Sequence, residues 1–210
     1  MILSDRDAPE IETPTVETVV SWGDSGAIEV SYLPSPPVVA GVGMRPELLT
    51  DRGWTIYFES NLEWYDHMHR RLTRLAVTAL RYHRARQLLT SLSLGWETAL
   101  AEAADGLRLP FIVALPYRGC QGRWHDYHKQ RFSRLMGKAE EVVTVSRGAY
   151  QAWKHSKAVS YRIAGSDLLL TLWDGSSGSV RDAIQLARRQ KKTVINLWTS
   201  WLRYGGLKER

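Results

Sequence analysis

From residue 37 to about residue 198 six short apolar runs alternate with segments of helical period, and this alternation constrains the chain more than any other feature. The runs occupy 37–43, 87–93, 110–116, 141–146, 167–173 and 193–198. Most are continuous rather than alternating, the pattern of parallel strands covered on both faces. Between the first two, a long helix is predicted to start at Ser60, where Glu63 completes a capping box. Its apolar stripe reads Tyr65, Met68, Leu72, Leu75, Ala76 and Ala79. Further helices fit 98–105 (stopped by Gly106), 123–136 (stopped by Gly137), 149–164 and 180–190. This order predicts the α/β class, with a doubly wound, mostly parallel sheet covered by helices on both faces.

Residues 1–37 are different in kind. They hold five of the eight prolines, and seven acids against one base, Arg6. Only 27–33 alternates well enough for a short strand. This stretch is expected to be an extended acidic arm on a domain spanning 38–210. The remainder carries 27 bases against 15 acids. A body of that charge attracts phosphate, on a nucleotide or on single-stranded nucleic acid. The 44% apolar content excludes a disordered chain. No apolar run approaches the roughly 20 residues of a membrane helix, and residues 1–5 lack a signal-peptide pattern. Cys120, alone in the sequence, cannot form an internal bridge. The expectation is a cytoplasmic protein without membrane partners.

In doubly wound sheets ligands bind beyond the carboxyl ends of the strands, so the turns there carry the functional argument. The first strand runs into Gly43-Met44-Arg45-Pro46. The second runs into Ser91-Leu92-Ser93-Leu94-Gly95-Trp96-Glu97-Thr98. The fifth runs into Trp173-Asp174-Gly175-Ser176-Ser177-Gly178-Ser179. Small residues let a ligand approach the backbone, and free amides at a helix start attract anions. Two such turns in one sheet point to a phosphate or ribose pocket. Turn geometry alone also accounts for Gly95, Gly175 and Gly178. Glu97 at a helix start suits the helix dipole, and Asp167 suits a capping role.

The order of these motifs resembles the SLOG superfamily of DprA-like and Lonely-Guy-like Rossmannoid proteins, and within it the YpsA-like branch. The resemblance rests on Gly43-Met44-Arg45-Pro46, on the 91–102 segment, and on Pro116, Gln121, Trp124, Asp126 and Arg131. It is completed by Ser166-Asp167 and the 173–179 turn. Met44, Ser91 and Ser179 depart from that branch's histidine, glycine and threonine. Asp182 falls where Lonely-Guy-type N-glycosidases carry a glutamate, but Arg162 is displaced from their arginine position. The resemblance implies a Rossmann-like fold and a sensor or sequestering module for a nucleotide or ADP-ribose-like ligand, with no certain cofactor and a homodimer as the usual assembly.

The predicted ligand residues are Gly43, Arg45, Ser91, Ser93, Gly95, Trp96, Glu97, Asp174, Gly175, Ser176, Gly178 and Ser179. Phosphate would sit at the helix starts after Gly95 and Gly178, clamped by Arg45. Trp96 would flank the base, and Asp174 or Asp182 would contact the ribose. The alternatives are a nucleotide N-glycosidase with Asp182 as its catalytic carboxylate, and DprA-like binding of single-stranded DNA. The basic and aromatic stretch 123–131 suits the latter or a solvated helix face. No metal site is expected.

Overall fold

The computed structural model describes residues 36–46, 49 and 62–203. The predicted arm, apart from residues 36 and 37, and the Ser60 cap lie outside them. The elements are β1 (Val38–Gly43), α1 (Leu62–Tyr82), β2 (Gln87–Thr90), α2 (Trp96–Gly106), β3 (Phe111–Leu115) and α3 (Asp126–Met136). They continue with β4 (Glu141–Thr144), α4 (Ala152–Ala164), β5 (Leu168–Leu172), α5 (Ser179–Arg189), β6 (Thr193–Asn196) and α6 (Trp198–Arg203). All five strand pairings are parallel, in the order β4-β3-β2-β1-β5-β6. The expected open Rossmann-like α/β sheet is therefore the fold.

The chain steps outward from β1 to β4, then returns across the sheet to β5 on the other side of β1. Because crossovers in parallel sheets keep one hand, this reversal sends helices to both faces. One core cluster joins Val39, Leu88, Leu168, Leu170 and Leu172 to residues of α1, α2, α3 and α6. The other joins Ala40, Val42 and Leu169 to Ile163 of α4 and Ala183, Ile184 and Ala187 of α5. Successive strand residues point to opposite faces, so both clusters draw on the same strands. The stripe predicted for α1 is buried at all six positions.

β1 is where packing is tightest. A Cβ on Gly43 would lie 2.5 Å from the Trp96 side chain, and one on Gly41 would lie 2.5 Å from Leu100 Cδ1. These glycines let α2 press directly on the strand. Asp167 acts at the opposite end, where its Oδ2 accepts from Val38 N at 2.9 Å and anchors the start of β1. The sixth strand is shorter than predicted. Leu197 N still bonds Thr171 O at 2.9 Å, but Asn196 Oδ1 then accepts from Trp198 N at 3.2 Å. Helix α6 starts there instead.

Candidate functional site

Strands β1 and β5 are neighbours whose outgoing connections run in opposite directions. The crevice beyond their carboxyl ends is thus the switch point where open sheets of this kind bind ligands. Met44 N donates to Leu172 O at 3.1 Å, which brings the Gly43–Pro46 turn beside the end of β5. Two predicted turns, after β2 and after β5, open onto this edge, and they are built very differently.

The turn after β2 is closed. Glu97 and Arg162 are 5% and 2% exposed, and Arg162 Nη1 donates to Glu97 Oε2 at 2.5 Å and to Gly41 O at 2.9 Å. The same carboxylate oxygen accepts from Ser91 N at 2.9 Å and Ser91 Oγ at 2.6 Å. The β1–β2 ladder stops at Ala40 and Leu89, and this ion pair fills the gap beyond. Arg162 reaches it from the face of α4, Glu97 from the face of α2. A buried pair of this kind needs its remaining hydrogen bonds satisfied to offset desolvation, and here backbone and serine groups do so. Arg162, displaced from a phosphate-binding position in the sequence, holds the sheet together.

Two of the first three amides of α2 also have partners. Trp96 N points at Met44 O at 3.5 Å, and Thr98 N donates to Ser93 O at 3.1 Å. Gly95 has φ +92°, and a Cβ there would lie 2.7 Å from Met44 O. Its conformation serves the contact between two turns and leaves little room for phosphate. Trp96 is fully buried, with Nε1 donating to Leu170 O at 3.1 Å, so it offers no face to a base. The expectation that it flanks one is corrected by that burial. Gly43, Ser91 and Glu97 likewise have structural partners inside the fold. Ser93 is half-buried at the rim, its Oγ 2.9 Å from that of Ser91.

The turn after β5 is open. Asp174, Gly175, Ser176, Ser177, Gly178 and Ser179 are all exposed. Gly175 and Gly178 have φ +98° and +129°, with no atom within 4 Å of where a Cβ would be. Gly178 caps α5 without any side-chain hydrogen bond. The turn is braced from below. Trp173 Nε1 donates to Ser176 O at 2.7 Å, and Asp174 Oδ1 accepts from Ser176 N at 2.8 Å. Asn196 grips Trp173 through both its amide N and its carbonyl O, at 3.0 and 2.8 Å. Burial works to raise the Asp174 carboxyl, but the hydrogen bonds from Ser176 outweigh it and hold it below its usual range. Asp182 lies one helical turn further on, exposed, with Arg181 Nε 3.9 Å away.

A third component gathers at the strand end around Tyr117. Tyr117 after β3 packs against Tyr150 and His155 around the start of α4, with ring centroids 5.9 and 5.8 Å apart. Buried Lys154 donates to Arg147 O at 2.6 Å and Ala149 O at 2.5 Å, fixing the loop that carries Tyr150. His155 is held below its ordinary value by burial, then by the charge of Arg45. Exposed Arg45 therefore lies within electrostatic reach of this aromatic group. Tyr117 follows β3, Tyr150 precedes α4 and His155 lies within it, so no local motif announces their meeting.

The 123–131 stretch is solvated at Arg123, Asp126 and Gln130 and tied into the fold on its other side. His128 is buried, and Arg131 Nη2 donates to Asp66 Oδ1 at 2.9 Å and Tyr127 Oη at 2.8 Å, while Nε lies 3.3 Å from Glu102. Glu102 also meets His69 Nε2 at 2.9 Å and Arg134 Nη2 at 2.6 Å. Burial lowers His69 more than Glu102 raises it. Nε2 faces the Glu102 carboxylate, and Nδ1 is buried without a hydrogen-bond partner among the described residues. This network ties α1, α2 and α3 together. Burial pushes the Cys120 thiol up to about 11, which removes it as a nucleophile near neutral pH. Among the described residues no group of three or more His, Cys, Asp and Glu could hold a metal ion. Nor is any described helix long and apolar enough to cross a membrane.

No family profile and no curated protein matches the chain. Among solved structures it is similar to DNA processing protein A from Helicobacter pylori, described for its single-stranded DNA binding mode. That likeness has 17% identity and a TM-score of 0.49, covering 83% of this chain and 75% of that one. It is also similar to the molybdenum cofactor carrier protein from Chlamydomonas reinhardtii, at 15% identity and a TM-score of 0.44. There the coverage is 82% of this chain and 88% of that one. At these identities the likeness is one of fold.

Proposed function

We propose that this chain binds a phosphate-bearing, nucleotide-derived ligand at the carboxyl edge of its sheet, on the turn between β5 and α5. The observation that carries this reading is the pair Gly175 and Gly178, held at positive φ with open space where side chains would be, at the switch point of the sheet. Backbone amides at a helix start attract anions. Arg45 from the neighbouring turn is the clamp, since arginine matches phosphate in a bidentate manner. The motif order shared with the SLOG superfamily, down to its YpsA-like branch, supports the same ligand class. The phosphate belongs to the α5 turn alone, because the α2 turn is closed by Met44 O and Glu97. Binding is favoured over N-glycoside hydrolysis. A carboxylate that stabilises a developing cation works best shielded from water, and Asp182 is exposed.

Native mass spectrometry of freshly purified protein is expected to reveal a retained nucleotide. Gly178→Val should abolish that retention with the fold intact by circular dichroism, and Arg45→Ala should weaken binding by about 1.5–3 kcal/mol. Wild-type affinity in both variants overturns the reading. Base release by wild type that disappears in Asp182→Asn puts the enzyme first.

A second reading has its own observation. Tyr150 and Trp153 are 62% and 52% exposed, and Lys157 Nζ lies 5.9 Å from the Trp153 ring. Exposed aromatics interleaved with cations suit single-stranded nucleic acid. Trp153→Ala should weaken retention of an oligonucleotide and leave mononucleotide binding unchanged.

A further inference from the structure

At the opposite end of the sheet, where the strands begin, lies a cleft of about 400 Å³ lined by Arg81, Arg84, Arg86 and Arg108. Its apolar wall includes Leu80 and Leu109, and among the described residues no acidic one lines it. None of the four guanidinium groups has an ion pair or side-chain hydrogen bond among the described residues. Neighbouring carboxylates are directed elsewhere. Asp105 Oδ2 lies 3.4 Å from Arg134, and Glu140 Oε2 accepts from Gln87 Nε2 at 3.0 Å.

Helices α1 and α2 both end here, and a helix carboxyl end carries about half an elementary negative charge. Among the described residues, two such ends leave roughly three of the four positive charges uncompensated. The backbone adds a second observation. Arg84 and Arg108 have φ of 50° and 54°. In this left-handed position after a helix glycine or asparagine is the usual residue, because a Cβ there is strained. Both connections place arginine at the strained position, and both side chains line one cleft.

We infer that this cleft is a second anion site, for a compact oligophosphate such as the phosphate chain of a nucleoside di- or triphosphate, with the organic part against the apolar wall. Four arginines and no carboxylate suit a ligand of several closely spaced negative charges, and the volume suits one small molecule. The site is separate from the α5 turn and does not depend on it.

The test is calorimetry at low ionic strength with two probes, inorganic tripolyphosphate and a nucleoside triphosphate. It compares wild type with the double variant Arg84→Asn, Arg108→Asn. Asparagine tolerates the left-handed conformation, so the variant should unfold at the wild-type temperature or above. Both probes should bind wild type, more weakly as salt is added. The double variant should lose roughly a hundredfold, about tenfold for each charged contact. Arg81→Gln, within α1 and free of any special backbone, should lose about tenfold and guards against a folding defect in the loops. Measured in the Gly178→Val background, which takes the α5 turn out of play, both probes should still bind and the double variant should still lose affinity. No heat from either probe, or unchanged affinity in the double variant, overturns the inference. Binding of a single-stranded oligonucleotide with neither small probe overturns it too, since the compact ligand would then be the wrong class.

Discussion

After β2 the chain reads Ser91-Leu92-Ser93-Leu94-Gly95 into α2, and after β5 it reads Asp174-Gly175-Ser176-Ser177-Gly178 into α5. Both are small-residue turns with a glycine of positive φ just before the helix. One is filled by the buried Glu97–Arg162 pair and stoppered by Met44 O. The other stands open over a brace of Trp173 and Asn196. The difference teaches that a phosphate-type turn is made by what lies opposite it. Amides of the same kind face solvent in one turn and form a joint with the next turn in the other.

The largest effect should come from breaking the closed turn. Arg162→Met removes the partner of a buried carboxylate, and unpaired buried charge costs about 3–5 kcal/mol. Urea denaturation should record a loss of that size. Adding Glu97→Gln to the same chain should restore a good part of it. If Arg162→Met is as stable as wild type, the pair does not hold β1 and β2 together.

A sharper contrast uses matched glycines. Gly95→Ala and Gly175→Ala both place a Cβ at positive φ, a strain of about 1–2 kcal/mol in each. Only at Gly95 does the new atom meet backbone, Met44 O at 2.7 Å. Overpacking adds about 1–3 kcal/mol, so Gly95→Ala should be the less stable by that margin in thermal or urea unfolding. Equal losses mean that the α2 turn has room after all.

The smallest effect lies in the brace. Trp173→Phe keeps an aromatic ring but removes the donor to Ser176 O, one hydrogen bond worth about 1 kcal/mol. Hydrogen exchange should quicken at Ser176 and its neighbours while α2 amides stay protected. Uniform exchange across both turns would show that the indole does not set the open conformation.

How much of this was legible depends on the range of the interactions. The six runs, the order of elements and the α1 stripe could be read directly, because apolar periodicity reports which side of an element is buried. Local turn chemistry was legible as well, in Gly175 and Gly178. The ends of elements were less so. Trp198 looks like strand, yet Asn196 caps it into α6. Trp96 looks like a residue at a pocket mouth, yet Gly43 leaves room for its indole under β1.

The amino-acid sequence by itself therefore determined the class of sheet, its parallel strands and the small-residue turns at its carboxyl edge, since these follow from neighbours a few positions apart. Tertiary structure alone decided which turn is open. Arg162 lies 65 residues from Glu97 and 121 from Gly41, and no local pattern shows that they meet. It also gathered Tyr117, Tyr150 and His155 at one edge, and four arginines at the other. Charge and burial depend on distance in space, and only the folded chain brings those groups within it.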